Sequence, residues 1–247
     1  MKGTLSFVFS FFLFLANLTL LGCVKEEQKA LEILQKSIKA HGGKSLWEKV
    51  NSISYLKETT LYEASGEIEQ QISQKITHLW RPQVTEMIWM KGGKVNRAIK
   101  NSKGVLLYQN DQLQNDSLQI AQTESSLDAA LYVFWQPFKL LDQNLRLDYI
   151  GEKKLLDSIA VYGLKATYSN SDNGDIWTYY FDKNNYRLRA AQVYHKQRTS
   201  LIVNESVESE TGLFLNKRRK SYFLDSLGKI KSLRAAYTYR IESFNID

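Results

Sequence analysis

The sequence predicts a mainly β protein with a few helices, an α+β chain built on one strongly curved antiparallel sheet of about eleven strands wrapped around a helix. Three observations predict it. From Ile53 to the C-terminus, strand-like alternation is punctuated at regular intervals by turn residues. The connections are short, which makes sequential strands antiparallel neighbours in a meander. One apolar stretch at helical spacing, Glu124 to Leu141, interrupts the series, and no linker accompanies it, so the whole reads as a single domain.

The elements follow in order. Between Glu26 and Ala40, Ala30, Leu31, Ile33, Leu34 and Ile38 recur near the 3.6-residue period of a one-sided helix. His41-Gly42-Gly43 ends it, glycine being the usual residue where a chain leaves a helix in a left-handed conformation. A short turn through Leu46, Trp47 and Val50 leads into the first strand. A first strand series covers 53–63, 67–80, 84–90, 94–100 and 104–109, with breaks at Ser65-Gly66, Pro82, Gly92-Gly93 and Asn101 to Gly104. The helical insertion then places Leu127, Ala130, Leu131, Phe134, Trp135 and Phe138 at helical spacing before and around Pro137. A second series covers 145–154, 156–169, 176–182, 186–195, 200–209, 213–224 and 230–244. Its last strand alternates most clearly. Leu233, Ala235, Tyr237, Tyr239 and Ile241 take the buried face, with Arg234, Thr238, Arg240 and Glu242 on the wet one.

The N-terminus carries a different signal. Lys2 is followed by an apolar run from Phe7 to Ala16, roughly half the length that crosses a hydrocarbon core. A basic flank and a short apolar core mark an export signal. Leu20-Leu21-Gly22-Cys23 resembles the lipobox of bacterial lipoproteins. That resemblance implies removal of residues 1–22, a diacylglyceryl group on the Cys23 sulfur and an acyl chain such as palmitate on its amino group. Residues 23–28 then form a lipidated tether and 29–247 the domain. Cys23 is the only cysteine, so no internal disulfide can form, and acylation accounts for an otherwise odd exported thiol. Two or more acyl chains anchor a protein firmly where one holds marginally. Lys25-Glu26-Glu27 is similar to the surface-export signal of some Gram-negative lipoproteins; a solvated first helical turn with acidic residues near the helix dipole explains it equally well. The expected location is the cell envelope, as an outer-membrane lipoprotein, with the leaflet left open.

Composition narrows the classes. The formal net charge is +7, one less once Lys2 is lost. An exported chain has no nucleic-acid partner, so this mild excess describes a solvated basic surface or one facing anionic lipid. Hydrophobic residues make up 43%, aromatic residues 12%, and there are two prolines, enough for a substantial core without staples. The three histidines, His41, His78 and His195, lack companions at metal-ligand spacing and read as turn or strand-end residues. No Gly-x-Ser-x-Gly motif or phosphate-cradling glycine loop occurs. The carboxylate pairs Glu67/Glu69 and Glu208/Glu210 read as solvated strand positions, because acid-base work needs a pocket that shifts a pKa. Alternation sends the members of Lys217-Arg218-Arg219-Lys220 to opposite faces; two of them could border an inner cavity, though a solvated strand is the commoner arrangement. The chain therefore reads as having no catalytic residues, no metal and no cofactor.

The lipobox, the helix ending His41-Gly42-Gly43, the long meander and the mid-chain apolar helix together resemble the LolA/LolB-like half-open barrel lipoproteins. Pro137-Phe138-Lys139-Leu140-Leu141-Asp142, Trp177-Thr178-Tyr179-Tyr180-Phe181-Asp182 and the stretch Asn185 to His195 are similar to segments of an uncharacterised family of them, over roughly residues 28–244. The resemblance implies an eleven-stranded half-open barrel, with helices at the N-terminus and plugging the concave face, that holds apolar cargo such as acyl chains. It carries over no functional residues. Trp80, Trp89, Trp135, Trp177 and the tyrosines exceed what a thin sheet needs. Most fill a core, and a ligand cavity is expected at Trp89, Leu127, Leu131, Phe134, Trp135 and Phe138. The expected function is non-catalytic binding of an apolar ligand by a tethered monomer. The alternative is a structural or interaction lipoprotein whose core is filled by its own side chains.

Overall fold

The computed structural model describes residues 26–156, 158–168 and 175–247; the export signal and Cys23 lie outside them. Helix α1 occupies 26–40, followed by the short α2, Lys44–Glu48. Six strands come next: β1 Val50–Tyr62, β2 Ile68–Trp80, β3 Gln83–Lys91, β4 Lys94–Asn101, β5 Gly104–Gln109 and β6 Gln112–Gln114. Helix α3, Ser117–Phe134, and a 3-10 turn, Phe138–Leu141, connect these to seven more. The second set is β7 Leu145–Leu155, β8 Ile159–Tyr168, β9 Ile176–Asp182, β10 Leu188–His195, β11 Arg198–Val207, β12 Asn216–Leu224 and β13 Ile230–Ile246.

All thirteen strands form one sheet, in the order β6-β5-β4-β3-β2-β1-β13-β12-β11-β10-β9-β8-β7. The first meander runs outward from β1 to one edge, and the second starts at the other edge and returns to β13. The long central pair, β1 and β13, joins the halves through antiparallel partners such as Thr59 and Tyr237. The described strands exceed the expected eleven, and the short β6 had no counterpart in the sequence reading. Three residues, Gln112-Leu113-Gln114, are too few to display an alternation.

The edges β6 and β7 do not pair with each other, so the barrel stays open. Register irregularities cluster in β1 and β7 and from β10 to β13, including Ser54/Tyr55, Tyr149/Glu152, Asn204/Ser206 and Ser221/Tyr222. The β2–β3, β3–β4 and β4–β5 ladders run without one. Bulges bend a strand and increase its twist, so the curvature belongs mainly to the centre and the second half. The chain between the two edges must cross the concave side, and α3 is that crossing.

Helix α1 is fixed at its C-terminal end. The Gly43 N–H donates to the Ile38 carbonyl at 2.9 Å and the Gly42 N–H to the Lys39 carbonyl at 3.2 Å, the paired bonds of a Schellman stop. Gly42 has φ 94°, and a Cβ there would fall 2.1 Å from the Gly212 carbonyl oxygen. Only glycine meets both demands. Next to it, the buried His41 accepts the Leu188 N–H at Nε2 (3.2 Å), so Nδ1 carries the proton and donates to the Phe214 carbonyl (3.1 Å). The loop it grips is organised by Glu208. Its buried carboxylate accepts from the Thr211 N–H (2.9 Å), the Thr211 hydroxyl (2.7 Å) and the Leu215 N–H (2.8 Å).

Candidate functional site: a cavity beside the crossing helix

Asp116 starts α3 by accepting the Leu118 and Gln119 N–H groups at 2.9 and 3.2 Å, a side-chain N-cap. The helical period then gives the element two unlike faces. One is filled: Thr123, Leu127, Ala130 and Phe134 are buried against the sheet. Phe134 stacks on Tyr55 with centroids 3.9 Å apart and leans on Tyr239 at 5.2 Å. The C-terminal end is held by Arg219, itself buried, which donates to the Val133 carbonyl at 2.8 Å and to Gln136 Oε1 at 3.4 Å. A cation at a helix C-terminus meets the negative end of the dipole.

The other face borders a cavity of about 1000 Å³. Leu131, Tyr132, Val133 and Trp135 form its helical wall. Trp80 at the end of β2 and Trp47 of α2 meet the Trp135 ring edge-on at 4.7 and 5.0 Å, and Trp47 stacks on Phe138 at 4.7 Å. Across the opening, Trp177 at the start of β9 lies 5.4 Å from Tyr132 and stacks on Tyr179 at 5.9 Å. The hydroxyls of Tyr168 and Tyr179 both meet that of Tyr132. Burial pushes all three phenols up, so they stay protonated. Pro82 to Val84 and the β4–β5 turn close the rim with Lys100 and Lys103.

His78 also lines the wall. Its Nδ1 lies 2.7 Å from the Thr85 hydroxyl, and its ring meets Trp80 edge-on at 4.3 Å. Burial, reinforced by the Lys139 charge, pushes it down to about 4, so it is neutral near pH 7. His195 is exposed beside the cavity, with Nδ1 at 2.5 Å from the lining residue Asp175. Among the described residues no group of three His, Cys, Asp or Glu side chains could hold a metal, and no helix is long and apolar enough to cross a membrane.

The six residues expected to form a cavity divide. Leu131 and Trp135 lie on its wall. Leu127, Phe134 and Phe138 are buried in the core, and Trp89 packs half-buried against that core from β3. Tyr132, Tyr168, Trp47, Trp80 and Trp177 also reach the wall; the sequence reading placed Trp47 in a turn and the others in the aromatic surplus, without assigning any of them to the cavity. That surplus was the one available signal. Of the basic run on β12, only Arg219 turns inward. Lys220 pairs with Glu205 at 2.8 Å, and Lys217 and Arg218 are exposed. Glu69 pairs with Arg234, and Glu208 is a buried loop organiser while Glu210 is exposed.

The fold has solved counterparts. A LolA superfamily protein from Nitrosomonas europaea superimposes with a TM-score of 0.54 at 9% identity, over 88% of this chain and 93% of that one. The architecture is thus the LolA-like half-open barrel. A DUF1329 family protein from Desulfovibrio piger gives a TM-score of 0.43 at 9% identity, over 88% and 93% of the two chains. The lipoprotein LppX of Mycobacterium tuberculosis gives 0.31 at 13%, over 90% and 100%. No curated protein matches the chain. The profile of a family of unknown function (DUF6503) matches residues 9–240.

Proposed function

The chain belongs to that family of unknown function, DUF6503, and from this premise we propose that it is an envelope lipoprotein whose half-barrel binds an acyl chain without catalysis. One observation carries the reading: the cavity of about 1000 Å³ beside α3, walled by Trp47, Trp80, Trp135, Trp177 and Leu131. Proteins hold small apolar ligands in concave sites of roughly 300–1,000 Å³ lined by such side chains. The anchor in this proposal is Cys23, acylated after removal of residues 1–22, which tethers the monomer to the outer membrane through the 23–28 segment, whose last three residues are the exposed first turn of α1.

The test is native mass spectrometry of residues 24–247 with extraction of bound lipid. Co-purified fatty acid or phospholipid, lost on Leu131→Asp in a variant that keeps its far-UV spectrum, is the expected result. A protein that arrives empty and takes up neither added fatty acid nor phospholipid would overturn acyl binding and favour a tethered interaction domain. Membrane fractionation of Cys23→Ala checks the anchor separately: the protein should move to the soluble fraction.

A further inference from the structure

Resting on the acyl-binding reading, we infer that the occupant is an anionic amphiphile: one or two acyl chains ending in a carboxylate or phosphate. The charges around the cavity carry this. Its lining includes Lys100, Lys103, Lys139, Asp128 and Asp175. Both carboxylates are already engaged: Asp128 pairs with Lys100 at 2.6 Å and Asp175 faces His195 at 2.5 Å. Lys100 is further held by Glu124 at 3.0 Å. Lys103, in the β4–β5 turn, and Lys139, in the 3-10 turn after α3, have no carboxylate partner among the described residues. Two exposed ammonium groups, each without a carboxylate partner among the described residues, thus line an apolar hollow. A neutral or cationic head gains nothing there, and a cationic one is repelled.

Volume sets the chain number. If a methylene takes about the space of a liquid water, roughly 30 Å³, a sixteen-carbon chain needs about 480 Å³, and the hollow takes at most two.

The experiment is photo-crosslinking of the full-length chain in one non-ionic detergent, with four sixteen-carbon diazirine probes: the free acid, the alkyl phosphate, the methyl ester and the alkylamine. Labelled peptides are located by mass spectrometry. The acid and the alkyl phosphate should label the α3 and β9 walls about five- to tenfold more than the ester or amine, from two exposed ion pairs. Lys103→Glu combined with Lys139→Glu should bring that ratio close to one, with ester labelling reporting whether the cavity still forms. Excess inorganic phosphate should leave alkyl phosphate labelling in place; displacement by it would assign the lysines to a free anion and overturn the lipid headgroup. Equal labelling by acid, ester and amine would overturn the anionic preference while acyl binding stood. Cavity peptides unlabelled by every probe would overturn acyl binding itself.

Discussion

Phe134 and Trp135 are adjacent in the chain, and both are almost wholly buried. Phe134 has ring partners from the sheet on its inner side, Tyr55 at 3.9 Å and Tyr239 at 5.2 Å. Trp135 also has close ring partners, Trp47 and Trp80, but these form the rim of a hollow that the protein's own atoms leave open. One helix thus serves as core on one side and as cavity wall on the other. Protein interiors pack close to crystal density, as the filled face of α3 does, whereas its other face borders an open cleft lined largely by apolar side chains. Under the proposed function the difference separates stability from binding: substitutions on the filled face should act on folding, and those on the open face on ligand.

The sharpest way to break this division is Phe134→Ala. Removing a fully buried ring leaves a cavity that stacked neighbours cannot collapse into, at a cost of about 3–5 kcal/mol. Urea denaturation measures it, and a loss below about 1 kcal/mol would mean that the filled face is not the core.

Acid probes both sides through their histidines. Burial, with the Arg187 charge adding to it, holds His41 down at about 4 in spite of its bond to the Phe214 carbonyl. In the unfolded chain its pKa is about 6.5. Because the folded pKa is the lower one, the unfolded state takes up the proton first. Stability is therefore whole above pH 6.5 and is lost as pH falls from there towards 4, by up to about 3 kcal/mol. Protonated Nε2 would set a donor against the Leu188 N–H. His78 is depressed to a similar value on the cavity wall. Stability curves at pH 7 and pH 4.5 should show His41→Gln and His78→Gln each removing part of the acid loss, and a wild-type curve flat across this range would contradict both burials.

Glu208→Ala reads the loop on which His41 and Gly42 rest. Three donors lose their acceptor, and each buried unsatisfied group costs about 1–3 kcal/mol, less whatever water can restore. We expect about 2 kcal/mol in denaturant unfolding, with faster amide exchange confined to 208–215 and the end of α1.

The legible parts of this fold were those governed by local rules. Helix α1 announced itself by Ala30, Ile33, Leu34 and Ile38 and by its glycine stop, and β13 by Ala235 and Tyr239 against Thr238 and Arg240. The crossing helix was seen late, from Glu124. Its first turns, Ser117-Leu118-Gln119-Ile120-Ala121-Gln122-Thr123, offer little apolar period, and Asp116 as a cap is recognisable only once the helix is known. The cavity was the least legible feature. Helical spacing puts Leu127, Leu131 and Phe134 on one broad apolar stripe, but which part of the stripe meets the sheet depends on the helix rotation, and that is set by distant partners such as Arg219, Tyr55 and Tyr239. The opposite wall comes from Trp47, Trp80, Tyr168 and Trp177, residues that only the order of thirteen strands brings together.

The smallest expected effect on folding is also the most telling. Leu131 is half-buried and already faces open space. Leu131→Ser removes apolar contact from one side only and creates no new enclosed void, so it should cost about 1 kcal/mol or less. Its effect on binding should be larger in proportion, because the hydroxyl sits where an acyl chain needs apolar wall and goes unpaired when water is displaced. Titration with a fluorescent fatty acid should show several-fold weaker binding beside a nearly unchanged urea midpoint. If Leu131→Ser instead unfolds the protein as Phe134→Ala does, the two faces of α3 are one core and the hollow is not a site. If it alters neither stability nor binding, the acyl chain lies against the aromatic wall of Trp80 and Trp177 and the helix merely closes the opening.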